Sequence, residues 1–387
     1  MPQSSYILTF YAQFAKIILQ KYIVKEARKM ANYFSERDKN MTARLRKLRD
    51  QLPECCEEFF VGIEPQTTTL TRLNYAYDLR IFFDYLLKNV RSFRDYKDIY
   101  DFTASDLDKV TLGNLEAYME YLTYYTFDGK EKTNAEKGKS RKISTVRTFF
   151  KYMYNHDRIQ QNVSAKLTMP KNHDKDIIRL EKKEVERILD AAETGAGMSE
   201  HQRKVQRNTH ARDFAIMSLL LGTGIRVSEC VGLNLSDIDF ETNAFTVTRK
   251  GGNQAILYFG DEVADALHTY IDTERKSLIE RCEKIYEGDT DAVFLSLQVT
   301  RLSVRAIQNI VKKYAQTAAP LKKISPHKLR STFGTNLYRA TGDIYLVADV
   351  LGHRDVNTTK KHYAAIEEDH RKLAAQVVKL RPDKTGQ

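Results

Sequence analysis

Six side chains spread over 138 positions can each do something at a phosphate. Arg226 sits in TGIRVSE (residues 223–229), behind Gly222 and Gly224, with Glu229 one helical turn later. A guanidinium at a helix start, beside unpaired backbone N–H groups, suits a phosphate oxygen, and a carboxylate three residues on can orient it. Taken alone, the same pattern describes a surface Arg–Glu pair. His327 and Arg330 form HKLR on one face of a helix that Ser325 and Pro326 should start. In that first turn the positive helix end disfavours a charged imidazole, so His327 can accept a proton. A capped helix with an incidental histidine is the plainer reading of that segment. His353 follows a glycine stop in LGH, and Tyr363 lies ten residues on in KKHYAA. A tyrosine, with its pKa of about 10, needs cations and a base nearby to become a nucleophile. Lys250 sits at the tip of a short hairpin. A zinc site from His327, His353 and His362 would want a further Glu or Cys at ligand spacing, and none is placed there.

These residues need elements to hold them. Residues 41–170 read as helical. MTARLRKLRDQL is basic and amphipathic, Pro53 interrupts it, and Thr71 should cap a helix carrying Leu73, Tyr77, Ile81 and Leu87 on one face. TLGNLEAYMEYLTYY and ISTVRTFFKYMYN follow, separated by DGKEKTNAEKGKSRK, which reads as an exposed lysine-rich loop. Residues 171–180 read as a linker. Residues 181–365 read as helix, helix, hairpin, then helices, the hairpin being AFTVTRK–GGN–QAILYFG with alternating β-branched residues around a Gly-Gly turn. No repeated βαβ pattern appears, so a doubly wound sheet is not expected. The buried helix FAIMSLLL precedes Arg226, and SVRAIQNIVKKYAQTA should face Val304, Ile307, Val311 and Tyr314 inward. Residues 366–387 read as an amphipathic tail helix.

The surroundings agree with a polyanionic partner. The 387-residue chain carries 62 Lys and Arg against 51 Asp and Glu, a net charge of +11, which favours nucleic acid without dictating a fold. Its four cysteines (Cys55, Cys56, Cys230 and Cys282) form no CxxC pair, so no zinc knuckle or disulfide framework is expected, and a reducing cytoplasm fits. Residues 1–40 read as an extension, with Met30 or Met41 as alternative starts. Its apolar stretch, residues 6–24, is broken by Gln13, Lys16, Gln20 and Lys21. It falls short of the about 20 mostly apolar residues of a membrane span and lacks the basic start of a signal peptide.

The order Arg226, Lys250, His327-x-x-Arg330, Leu-Gly-His353, Tyr363 resembles that of the tyrosine recombinase (phage integrase) family. TGIRVSE, TRKGG, SPHKLRSTFGTNL, VLGH and KKHYA carry the resemblance over roughly residues 70–365. Within the family it is most similar to the single-recombinase, XerS-like Xer proteins, through RKLRDQLP, the insert at 191–209 and TRKGG. The resemblance implies a mainly α fold with a small antiparallel sheet. Residues 41–170 would be a SAM-like core-binding domain and 181–365 the catalytic domain, the two clamping duplex DNA. It implies that Arg226, Arg330 and His353 hold the phosphate and that Tyr363 attacks it, leaving a 3′-phosphotyrosyl bond. Lys250 would protonate the departing 5′-oxygen, His327 would take the tyrosine proton, and Glu229 would orient Arg226. Gly-Gly-Asn after Lys250 departs from the family's more basic turn. No cofactor, metal or ATP is implied. A homotetramer on two DNA sites is expected, serving chromosome-dimer resolution or mobile-element integration and excision. A type IB topoisomerase-like enzyme and a non-catalytic DNA-binding regulator are the alternatives, the second disfavoured because none of Arg226, Arg330 and Tyr363 is lost.

Overall fold

The computed structural model describes residues 38–170, 178–249, 253–282, 291–353 and 356, with Val205 by its main chain alone. They divide into two compact units, with the boundary between residues 175 and 176. The extension up to residue 37, Lys250, His362, Tyr363 and the tail at 366–387 lie outside the described residues.

The first unit is helical: residues 38–49 (α1), Cys55–Gly62 (α2), Thr69–Asn89 (α3), Leu112–Tyr121 (α4) and Glu136–Asn155 (α5). The α1 helix stops short of Pro53 and buries Leu45 and Leu48. The α3 cap is Thr68, whose hydroxyl accepts from the Thr71 N–H at 3.2 Å, so Thr71 is the capped residue and not the cap. Both threonines fit the preference for a hydroxyl there; the helix starts at the earlier one. The core is aromatic. Phe59 meets Phe149 edge to face at 5.2 Å, and Phe82 meets Tyr118 at 5.1 Å. Such pairs add about 1 kcal/mol each beyond burial.

The segment expected to be a loop is ordered. Tyr124–Phe127 (β1) pairs antiparallel with Lys130–Thr133 (β2), and α5 begins at Glu136. Asp128 and Gly129, with φ of +50° and +68°, make the two-residue turn that an Asp-Gly pair favours. All four residues of β2 are exposed, so the sequence showed no apolar alternation there.

Between α3 and α5, the buried Asp78 carboxylate accepts two hydrogen bonds from Arg141, at 2.6 and 2.8 Å, and one from Thr145 at 2.9 Å. Charge is tolerated in this core because it is paired.

The second unit runs Lys182–Thr194 (α6), Glu200–Gln206 (α7), His210–Thr223 (α8), Val227–Gly232 (α9), Ile238–Asp239 (β3), Ala244–Thr248 (β4), Gln254–Tyr258 (β5), Asp261–Thr269 (α10), Lys276–Glu280 (α11), Val304–Ala318 (α12), Pro326–Thr341 (α13) and Ile344–Leu351 (α14). The strands form one antiparallel sheet in the order β3-β4-β5. The central helix is α8, with Ala215, Ile216, Met217, Leu219 and Leu220 all buried. Its first turn holds a buried charge cluster. The Asp213 carboxylate accepts from Arg212 (2.9 Å), Lys313 (2.7 Å) and the Tyr314 hydroxyl (2.8 Å), which ties α8 to α12. Burial, then the Asp213 charge, holds the Tyr314 phenol far above its ordinary pKa, so it stays a donor. Ile307 and Val311 of α12 are buried beside Tyr314, as the helical spacing required. Leu180, buried ahead of α6, donates its N–H to Thr332 Oγ1 of α13 at 3.0 Å. Among the described residues no helix is long and apolar enough to cross a membrane.

The Asp78 pair sets a pH-dependent test. Desolvation raises the Asp78 carboxyl above its ordinary pKa, and Arg141 opposes the rise. Without Arg141 the carboxyl rises further. A raised folded-state pKa costs stability above the unfolded value of about 3.9, and the cost fades below it. Arg141→Ala is expected to lose roughly 3 kcal/mol near neutral pH, with the deficit shrinking towards pH 4. Urea denaturation at both pH values checks this. An equal deficit at both would show that charge burial is not the cause.

Candidate active site

The site is built around the end of one helix. An α-helix leaves its last carbonyls without intrahelical partners, and they form its negative end. At the end of α14, three consecutive carbonyls each receive a guanidinium. Val350 O accepts from Arg249 Nη2 at 3.1 Å. Leu351 O accepts from Arg226 Nη2 at 3.2 Å and from Arg330 Nη2. Gly352 O accepts from Arg226 Nη2 at 3.0 Å. Three arginines from three elements thus meet one helix terminus.

Each arrives for a local reason. The α8 helix ends at Gly224, which takes the left-handed conformation (φ +62°). A side chain there would strike Phe333 and Leu351, so glycine also permits the close approach of α13 and α14. Two residues later Arg226 is the N-cap of α9, and Glu229 binds it twice. The carboxylate accepts the Arg226 backbone N–H at 3.0 Å and its Nη1 at 2.8 Å. Glu229 is buried, whereas about a third of the Arg226 side chain remains exposed. Arg330, in the second turn of α13, is buried and also donates to Gly224 O, cross-tying the HKLR helix to the turn ahead of Arg226. Ser325 is the backbone N-cap of α13 with Pro326 at the first position, as expected, but its hydroxyl makes no capping bond. The Ser325 carbonyl accepts from the N–H groups of Lys328 and Leu329 instead.

The histidines flank these arginines. Gly352 closes α14 in the left-handed conformation (φ +59°), and the His353 N–H returns to Ala348 O at 2.9 Å. His353 is therefore fixed next to the carbonyl that holds Arg226. His327 is exposed in the first turn of α13, one helical turn before Arg330. The structure thus brings Arg226, Arg330 and His353 to one corner and sets His327 on the same helix as Arg330. Lys250 and Tyr363 lie outside the described residues. The hairpin that carries Lys250 is closed on the near side, where Thr248 pairs with Gln254 and the Arg249 N–H donates to Asn253 O at 2.8 Å.

Arg249 was missed by the sequence reading. Its partner lies 101 residues away and is a main-chain carbonyl, so no residue type announces it. The one trace is the adjacent Arg-Lys pair at the end of β4.

The electrostatics favour an anion. Three guanidiniums converge, and among the described residues Glu229 is the one carboxylate hydrogen-bonded to any of them. The planar donor forks of arginine match phosphate oxygens. Cys230, next to Glu229 on α9, is buried. Burial, then the Glu229 charge, pushes the Cys230 thiol up to about 12.

A mainly helical unit that gathers arginines from a helix cap, a hairpin and an HxxR helix around an LGH turn has the architecture of a tyrosine recombinase catalytic domain. Residues 178–370 match the phage integrase family. The tyrosine recombinase XerC of Caldanaerobacter subterraneus subsp. tengcongensis is 32% identical over 294 residues, 74% of this chain and 75% of that protein. XerC of Oceanobacillus iheyensis is 28% identical over 327 residues, 84% of this chain and 95% of its own length. The same fold occurs in the XerH site-specific recombinase in a post-cleavage complex with palindromic difH substrate (TM-score 0.56, 18% identity, 87% of this chain and 94% of that one). It occurs as well in a lambda integrase dimer bound to a COC′ core site (TM-score 0.53, 16% identity, 79% and 93%). The chain belongs to the phage integrase family of tyrosine recombinases.

Gly352 tests the packing at this corner, with Gly129 of the β1–β2 turn in the first unit as the reference. Gly129 is left-handed in open space, and Gly129→Ala should cost about 1 kcal/mol. A Cβ on Gly352 would meet the Arg249 guanidinium. Gly352→Ala should therefore cost clearly more, roughly 2–3 kcal/mol, because strain and overpacking add. Denaturant midpoints of the two variants decide; equal losses would mean that Arg249 yields freely.

Proposed function

We propose that this chain cuts and rejoins duplex DNA at a specific site through a 3′-phosphotyrosyl bond on Tyr363. The observation that carries the reading is the convergence of Arg226 and Arg330 on the Leu351 carbonyl, with His353 in the adjoining turn. Phosphodiester cleavage gathers charge on the non-bridging oxygens. Donors fixed beforehand at that point stabilise the transition state without reorganising. Arg226, Arg330 and His353 fill that role, and Glu229 sets the angle of Arg226. The Tyr363 oxygen forms a bond to phosphorus as the bond from phosphorus to the 5′-oxygen breaks. His327 takes the phenolic proton, and Lys250 gives a proton to the departing 5′-oxygen. The reverse sequence, with the 5′-hydroxyl of a partner strand as nucleophile, rejoins the backbone. The phosphotyrosyl bond keeps the phosphodiester energy, so no ATP is spent.

Double-stranded DNA is the partner in this reading. Binding rests on phosphate contacts and falls steeply with salt. Exchange between two sites calls for four protomers, one at each cleaved strand. The likeness to XerC proteins favours the Xer type of role, chromosome-dimer resolution, over mobile-element integration.

A nicked suicide substrate, from which the 5′-hydroxyl fragment diffuses away after cleavage, should trap a covalent complex on Tyr363 with the wild-type chain. Tyr363→Phe should trap none, and Arg330→Ala should slow trapping by about 100-fold or more. Denaturing electrophoresis and mass spectrometry of the tyrosyl peptide read this out. An adduct on Tyr363→Phe would overturn the nucleophile. Relaxation of plasmids that lack any specific site would move the reading towards a topoisomerase. A chain that binds DNA but never forms an adduct would be a regulator.

A further inference from the structure

Arg249 has no part in the reaction just described, yet its guanidinium is bonded to the same helix terminus as the arginines that do. Its backbone N–H closes the β4–β5 ladder on Asn253 O at 2.8 Å. Its guanidinium leaves the hairpin and donates to Val350 O at 3.1 Å. It lies over Gly352, in space that any other residue at 352 would fill. Its Nε is buried and has no hydrogen-bond partner among the described residues. A guanidinium placed for solvent or for a surface ion pair would not be spent this way. The residue after Arg249 is Lys250, and the carbonyls on either side of Leu351 O belong to Val350, held by Arg249, and Gly352, held by Arg226. One side chain therefore ties the end of the strand that precedes Lys250 in sequence to the corner that gathers Arg226 and Arg330.

We propose that Arg249 is a positioning residue for strand cleavage, fixing the base of the β4–β5 hairpin to the α14 corner in support of the proton transfer assigned above to Lys250. It rests on the recombinase reading and adds a dependence that the reading does not contain. Arg249 does not touch the DNA; it acts on the proton delivered to the leaving 5′-oxygen. The need for that proton depends on the leaving atom. An alkoxide is a poor leaving group. A thiolate, whose conjugate acid has a pKa near that of cysteine, about 8.5, departs without one.

The test uses the full chain and two suicide DNAs that differ in the bridging atom at the scissile phosphate, 5′-oxygen or 5′-sulfur. On the oxygen substrate, Arg249→Gln should cleave roughly 10- to 100-fold more slowly than wild type, the scale of a misplaced catalytic group, while DNA affinity changes less than about threefold. On the sulfur substrate the phosphorus–sulfur bond breaks, the thiolate leaves unprotonated, and Arg249→Gln should come within about threefold of wild type, as Lys250→Ala should. Arg226→Gln, which weakens the phosphate pocket itself, should remain slow on both. Should Arg249→Gln not fold, Arg249→Met, which keeps the length of the stem without its donors, should show the same rescue by sulfur. Equal defects on both substrates would overturn the proposal, as would a wild-type rate on oxygen or a loss of affinity matching the loss of rate. A wild-type chain that cleaves neither DNA would overturn the recombinase reading along with it.

Discussion

The described part of the candidate active site depends on the carbonyls at the end of α14 that lack intrahelical partners. A helix terminus must find donors for its last carbonyls; main-chain N–H groups serve Ala348 and Asp349, and arginine side chains from distant parts of the chain serve Val350, Leu351 and Gly352. The same bonds satisfy the helix and hold like charges side by side. Three guanidiniums would repel one another in water. At this terminus the helix dipole and Glu229 offset that repulsion, and what remains is a concentrated positive spot. The need of a helix for donors is what gathers the three cations at one point.

The rest of the second unit keeps this terminus in place. The Asp213 cluster ties α8 to α12 at one end of α8, and Gly224 lets α13 and α14 close against the other. Arg330 then bonds across from α13 to Gly224 O. The cost of burying Asp213 is met by a full set of donors, which makes this end of the unit specific in geometry as well as stable. The aromatic first unit contributes none of these bonds. Its Asp78–Arg141 pair repeats the same solution, a buried carboxylate with donors from a neighbouring helix, in a different core.

Much of this was legible in the chain, and the failures have physical causes. The glycine–arginine–glutamate spacing of TGIRVSE located a helix start and its orienting carboxylate, because capping and i,i+3 pairing are local. The β4–β5 hairpin was legible because one face is buried and alternates. The β1–β2 hairpin was not, because β2 is exposed on both faces and only the Asp-Gly pair marks the turn. The capping hydroxyl of α3 was placed three residues late, since threonine stands at both positions. Arg249 could not have been found, because its partner is a carbonyl, which every residue has. Local bonds write themselves into residue type and spacing; main-chain acceptors contributed from far away do not.

The double grip of Glu229 on Arg226 has a consequence of its own. The carboxylate that closes the first turn of α9 also holds the guanidinium, so a copy in which that turn has formed has already aimed its arginine. Folding and aiming are one event. An anion arriving there would meet a guanidinium already held in place, with less side-chain freedom left to lose on contact.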